Sequence, residues 1–389
     1  MAFSLPGMVL ERALSVTRSL LKMLTKFLLQ EPAAEHVEVD KSGVYLFWAA
    51  VGLAAFGLVT VVGQIFIRAP WGKFRNDAKS RVWGPSVPCA VAWMIQECPS
   101  FFIPFSVLVG TEWLAGRPIN KILLVLFTTH YAHRSLVYPA RLYVHTRYQE
   151  NQSMPLGISA MAVLFCTYNG MIQSWSAISF DYSSEVRGVL YFCGVIKKCV
   201  GMQLDPFLAP RASVDDCSAA LRLISGVCVF LWGMSVNIRS DYILMKLRVT
   251  SDRVYQRRAS TAFSSNRGRS IASRRSSGFG TRRRSSRLAS RLDSGDMFPE
   301  ITPNPVLSAS AYRIPEGLWF NYVSCANYFG EICEWAGYAI ACNTYVALSF
   351  AVFTLCFLTG RGVQVHRWYL QHFEERYPSG RKAVIPFIV

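Results

Sequence analysis

The apolar residues of this chain fall in long uninterrupted blocks, not at the spacing of amphipathic helices. Gly43–Ile67 and Met154–Ile178 each run 25 residues without a charge. Either block is long enough to cross a hydrocarbon layer of about 30 Å as a helix. Read this way, the pattern predicts seven spans: Gly43–Ile67, Val87–Gly110, Ile122–Tyr138, Met154–Ile178, Leu221–Leu244, Leu318–Cys342 and Tyr345–Gly360. The expected fold is an all-α membrane protein of seven transmembrane helices. Four parts follow along the chain: an N-terminal extension (1–42), helices one to five (43–248), an insert (249–311) and a C-terminal part carrying helices six and seven (312–389).

Polar residues interrupt these blocks at helical spacing, and an ionisable residue inside a span is a functional candidate by default. Glu97 is the only charge in the second span, with Gln96 before it and Pro99 and Pro104 after it. In a dry setting a carboxyl stays protonated and can donate a hydrogen bond to a substrate carbonyl, or simply bond a neighbouring helix. Tyr131, Arg134 and Tyr138 are spaced i, i+3, i+7 and share one face of the third span. Asn237, Asp241 and Arg248 do so in the fifth, Asn327, Glu331, Glu334 and Tyr338 in the sixth, and Arg361 and Tyr369 along the seventh. Interhelical hydrogen bonding explains any one such stripe. Four stripes converging argue for a large polar ligand held inside the bundle.

Charge sets orientation. The first loop carries Arg68, Lys73, Arg75, Lys79 and Arg81, and the tail carries Arg361, Arg367, Arg376, Arg381 and Lys382. The second loop holds only Arg117 and Lys121, so odd loops and the C-terminus are expected on the cytoplasmic side and the N-terminus on the lumenal side. The net charge of +17 does not read as nucleic-acid binding. Twelve Arg against four acidic residues lie between Val249 and Ala311, among 14 Ser, a composition expected to be disordered. RRAS (Arg257–Ser260), RRSS (Arg274–Ser277) and RRRSS (Arg282–Ser286) resemble sites for basic-directed kinases, with a plain cationic tether to anionic lipid the alternative. The 1–42 extension is read as an interfacial amphipathic helix, with a mitochondrial presequence as the other reading. The Asn151 sequon is expected in a cytoplasmic loop and unmodified.

Eleven cysteines form no metal-ligand spacing and six histidines form no clustered boxes, so no metal is expected. GxGxxG and P-loop motifs are absent, while Arg134, Arg248, Arg313 and Arg361 cluster near the cytoplasmic end. Guanidinium groups there would hold phosphates. By itself this fits NADPH, coenzyme A or S-adenosylmethionine.

QECPS (Gln96–Ser100), HYAHRSLVYP (His130–Pro139), FCTYNGMIQ (Phe165–Gln173), GMSVNIRSDYIL (Gly233–Leu244), YRIPEG (Tyr312–Gly317), ANYFGEICEWAGYA (Ala326–Ala339) and FEERYPSGRKAVIPFIV (Phe373–Val389) resemble the steroid 5α-reductase family in order and spacing. The resemblance runs from about Trp71 onward, and FCTYNG and HRSLVYP are nearer its type 1 than its type 2 form. It implies seven helices enclosing NADPH and a lipid substrate in the endoplasmic reticulum membrane. It further implies that Glu97 and Tyr131 contact the steroid 3-oxo group. Asn237, Asp241, Arg248, Tyr312, Arg313, Asn327, Glu331, Arg361 and Tyr369 would surround the cofactor, with Arg134 and Tyr138 beside it. Trp93 and Gln96 are assigned to the substrate pocket. Three positions depart from the family: Leu318 replaces the second glycine of its PxGG turn, Val365 replaces a frequent histidine beside His366, and Met161 stands where type 2 has an arginine.

The implied reaction is hydride transfer to C5 and protonation at C4 of a 3-oxo-Δ4-steroid. NADPH is expected over NADH, because no acidic residue stands in a ribose-2′-OH position. A polyprenol reductase and a trans-2-enoyl-thioester reductase would share fold and hydride step. A prenylcysteine methyltransferase and a non-catalytic sterol-binding protein are readings from other classes. The expected partners are a steroid or sterol-like lipid and the bilayer, with no nucleic acid and no obligate protein partner.

Overall fold

The computed structural model describes residues 41–68, 71–74, 81–110, 114, 117–146, 153–199, 212–276 and 312–389. From 248 to 276 only the backbone is described. The chain divides into a unit ending at Tyr45, of which the first turn of α1 is described, and a unit from Leu46 to Val389. The expected 1–42 extension therefore lies almost wholly outside the described residues, as do Asn151 and the RRRSS site.

The helices are α1 (Lys41–Phe66), α2 (Cys89–Val109), α3 (Pro118–Ala132), α4 (Tyr138–Thr146), α5 (Leu156–Ser179), α6 (Ser183–Cys199), α7 (Val214–Ser276), α8 (Ala326–Cys342) and α9 (Tyr345–Phe373). Five of them, over Gly43–Phe66, Cys89–Val109, Leu156–Ser179, Val214–Leu247 and Tyr345–Arg376, are long and apolar enough to cross a membrane. The remaining two expected spans are shorter by themselves. α3 has 15 residues and α8 has 17. A π-helical turn, His133–Val137, joins α3 to α4, so helix runs without a break through Thr146. The sixth span begins at Ala326, not Leu318, because Gly317 and Leu318 adopt φ 86 and φ 49 and turn the chain before the helix.

The segment between the expected fourth and fifth spans contains α6, held to α7 by Arg187–Asp216 at 2.8 Å and by an Arg222–Glu185 ion pair. The insert also begins late: α7 continues to Ser276, past Arg248, where composition predicted disorder. A helix already nucleated by a long apolar segment propagates cheaply into polar sequence.

One departure from all-α is a small antiparallel pair, β1 (Ser86–Pro88) with β2 (Ser153–Pro155), in register Val87↔Met154. It ties the starts of α2 and α5 to the same end. Gln364 on α9 donates to the carbonyls of Gln64 and Ile67, and Arg381 donates to Pro315 at 2.8 Å, so the first and fifth loops and the tail gather at that end too. At the opposite end Asn120 donates to Ala177 and Phe180, and Tyr182 donates to Cys342 at 2.9 Å. Odd and even loops therefore separate.

α7 and α8 cross backbone to backbone. A Cβ on Gly226 or Gly337 would strike the other helix, and one on Gly233 or Gly330 likewise. Gly226 faces Gly337 and Gly233 faces Gly330, an antiparallel seam of the small-residue kind used between membrane helices. Side chains just beyond the seam are drawn into close reach, which is where the polar cluster lies.

Candidate active site

Five residues from three helices close a hydrogen-bonded ring beyond the Gly233–Gly330 contact. Arg134 donates to Asp241 at 2.9 Å and to Glu331 at 3.4 Å. Asn327 donates to the other Asp241 oxygen at 3.0 Å. Asn237 donates to Glu331 at 2.8 Å and to the Asn327 carbonyl at 3.2 Å. Asn237 and Asp241 are one turn apart on α7, and Asn327 and Glu331 one turn apart on α8, so each helix presents two partners to the other. The Arg134 guanidinium also sits 4.9 Å from the Trp93 ring and 5.3 Å from that of Tyr138.

A second patch is built on α9. Arg361, buried at 4% exposure, donates to the Trp71 carbonyl at 3.2 Å and lies 4.4 Å from the Trp71 ring. The Lys73 ammonium is 3.8 Å from the Tyr369 ring and 4.5 Å from that of Trp368. Tyr369 stacks on Tyr377 at 5.3 Å. Tyr328, next to Asn327 on α8, has its ring against Gly362, the residue after Arg361, and so stands between the patches. Tyr312 is half-exposed and packs on Trp368 at 4.9 Å, and Arg313 is exposed, so neither joins the ring. Arg248 lies on α7 beyond the described side chains.

Glu97 and Tyr131 meet through α5. The Cys166 thiol donates to Glu97 at 3.6 Å, and Gln96 to the other carboxyl oxygen at 3.4 Å. Asn169 donates to the Tyr131 hydroxyl at 3.2 Å and is met by Gln173 at 3.4 Å, which also reaches the Val346 carbonyl. Cys166 and Asn169 are three apart, on one face of α5. That face is seated close to α2, because Gly170 leaves room for the Pro99 carbonyl and Ser100 donates to the Cys166 carbonyl at 2.8 Å. The acid and the phenol thus lie on two helices held by a third.

Tyr131, Arg134 and Tyr138 do not share neighbours as their spacing implied. Across the π-helical turn the Tyr138 N–H bonds back to the His133 carbonyl, and the rotation it introduces sends Arg134 and Tyr138 to Trp93 while Tyr131 faces α5. Tyr338, on the polar stripe of α8, instead packs among Phe127, Phe230 and Trp335. Cys166, Asn169 and Gln173 were not foreseen as site residues. Their i, i+3, i+7 spacing within FCTYNGMIQ was the available signal.

The donor set suits a dinucleotide. Guanidinium and ammonium groups stand against aromatic faces in the α9 patch, as phosphates and a purine require, and amides with carboxylates in the ring suit a carboxamide and ribose hydroxyls. No group of three or more His, Cys, Asp and Glu among the described residues could hold a metal.

Residues 152–264 and 307–389 match the family model described as 3-oxo-5-alpha-steroid 4-dehydrogenase. Among known proteins, the chain is 32% identical to 3-oxo-5-alpha-steroid 4-dehydrogenase 1 of Macaca fascicularis, over 80% of this chain and 85% of that one. It is 32% identical to the Homo sapiens protein of the same name, over 81% and 88% of the two chains. Steroid 5-alpha-reductase DET2 of Arabidopsis thaliana is 27% identical, over 85% and 92%.

Proposed function

The chain belongs to the 3-oxo-5-alpha-steroid 4-dehydrogenase family of oxidoreductases, and on that premise we propose that it reduces the C4=C5 bond of a 3-oxo-Δ4-steroid with NADPH. It does so as an integral protein of seven spans in the endoplasmic reticulum membrane, α3 and α8 being the two shorter ones, with the odd loops cytoplasmic and the N-terminus lumenal. The observation that carries the reading is the meeting of Glu97 and Tyr131 on the face of α5.

Both residues are hydrogen-bond donors aimed at one carbonyl oxygen. Asn169 already donates to the Tyr131 oxygen, which leaves the phenol O–H to be given away. Among the described residues Glu97 is hydrogen-bonded to Gln96 and Cys166, both neutral, so a protonated Glu97 would donate to the same oxygen. Negative charge develops on the 3-oxo oxygen as C5 is reduced, and two fixed donors in a site away from water stabilise that charge strongly. NADPH, when bound, supplies the hydride. C4 then takes a proton. Arg134, Asn237, Asp241, Asn327 and Glu331 hold one part of the cofactor, with Tyr138 beside Arg134. Arg361 and Tyr369 hold another part, with Lys73 added to them. Tyr312, Arg313 and Arg248 stand at the rim. Trp93 and Gln96 border the steroid. The 2′-phosphate that separates NADPH from NADH lies on the purine side of the cofactor, so Arg361 and Lys73 of the α9 patch would favour NADPH.

The test is to incubate membranes containing the protein with NADPH or NADH and a panel of testosterone, progesterone, a Δ4-sterol-3-one, a polyprenol and an enoyl-thioester. The expected result is 5α-reduced ketosteroid from NADPH. Reduction of the polyprenol or thioester alone, or equal use of NADH, overturns the reading.

A further inference from the structure

His130 and Glu334 form a buried pair that the chemistry above does not use. Nδ1 of His130 lies 2.7 Å from Oε1 of Glu334, with the two residues 4% and 0% exposed. The pair joins α3 to α8 immediately behind Tyr131. The His130 ring stands edge-on to the Tyr131 ring at 5.0 Å, and Trp335 touches both, at 4.6 Å and 5.9 Å.

We propose that the His130–Glu334 pair is the positioning element for Tyr131, fixing the imidazole so that the phenol stays aligned with Asn169 and the substrate carbonyl; this rests on the reading of Tyr131 given above.

Stability does not account for the pair. The rings against it are those of Tyr131 and Trp335, and buried ion pairs can often be replaced by apolar side chains of similar size at no loss of stability. Oε2 of Glu334 is buried and has no hydrogen-bond partner among the described residues, which adds an unrecovered desolvation cost. What the pair does achieve is orientation. With Nδ1 held by the carboxylate, the imidazole has one ring setting, and the adjacent phenol is confined between that ring and Asn169. α8 grips the helix running from α3 through the π-helical turn twice, Glu334 taking His130 and Glu331 taking Arg134 four residues on. The proposed substrate side and cofactor side are thereby tied to the same two helices.

The full chain in membranes is assayed for a 3-oxo-Δ4-steroid at saturating NADPH as four proteins: unaltered, Tyr131→Phe, Glu334→Gln and the double variant. Glu334→Gln keeps shape and one hydrogen bond but loses the charge. It is expected to lower kcat about tenfold with KM for NADPH unchanged. In the Tyr131→Phe background the same change is expected to cost less than about twofold, since the pair acts through the phenol. Independent, multiplying effects overturn the proposal alone. An unimpaired Tyr131→Phe removes the reading of Tyr131 and the proposal with it. If Glu334→Gln does not accumulate in membranes, His130→Asn, which retains a group near the Nδ1 position, replaces it in the same cycle with the same criteria.

Discussion

Arg134, on the π-helical turn after α3, and Asp241, on α7, face each other at 2.9 Å, both largely buried, and their bond closes the polar ring. Asp241→Asn keeps the side-chain shape and removes the charge that orients the guanidinium. A hydrogen bond to a charged group is worth about 1.5–3 kcal/mol, so KM for NADPH should rise by about tenfold or more, with a smaller change in KM for the steroid. Steady-state kinetics with each substrate varied in turn measures both. An unchanged KM for NADPH would detach the ring from the cofactor.

Glu97→Gln retains the volume of the acid but cannot deliver its proton. Turnover is expected to fall by about 100-fold or more while KM for the steroid changes far less, as for removal of a donor used mainly in the transition state. Near-normal kcat in this variant would take Glu97 out of the chemistry.

Gly330→Ala places a methyl group against the backbone of Asn237 and the carbonyl of Gly233. Neither atom belongs to a flexible side chain, so the two helices must separate. Overpacking of this kind costs about 1–3 kcal/mol, and here it also pulls Asn237 from Glu331. Thermal inactivation in detergent should come several degrees lower, together with weaker NADPH use. Unaltered inactivation would show that the seam can yield.

Leu318 holds φ 49, a conformation that glycine reaches without strain, and it is half-exposed. Leu318→Gly is expected to be neutral or to stabilise by about 1 kcal/mol, and β-branched Leu318→Val to destabilise by about 1–2 kcal/mol. The order of the three inactivation temperatures decides the matter. Valine at or above leucine would contradict a strained turn.

The apolar blocks made five helices legible because a long charge-free run has few other uses. α3 and α8 were harder to delimit. One passes into a π-helical turn that no periodicity announces, and the other starts late because Gly317 and Leu318 turn the chain first. The faces of α7 and α8 were readable from Asn237/Asp241 and Asn327/Glu331, since charged or amide residues one turn apart inside apolar helices must find partners. Cys166 and Asn169 escaped notice because neutral polar residues in a span look like ordinary interhelical contacts until their partners are seen. His130 escaped because its partner Glu334 lies 204 residues away. α6 was hidden by its length and its mixed charges. In each case the missing information was tertiary.

The π-helical turn at His133–Val137 has a consequence for which changes the chain can absorb. An ordinary helix advances about 100° per residue, and the wider turn resets that phase once, between Tyr131 and Tyr138. Everything from Tyr138 to Thr146 inherits the offset. A substitution within the turn alters one side chain and leaves the phase alone. Loss of a single residue there would restore a regular helix and leave Tyr138 and Leu142, both buried, close to Trp93 and their other neighbours, because the extra residue is what the wider turn absorbs. The most damaging single-residue loss in this helix therefore lies outside the turn, where nothing absorbs the change of phase.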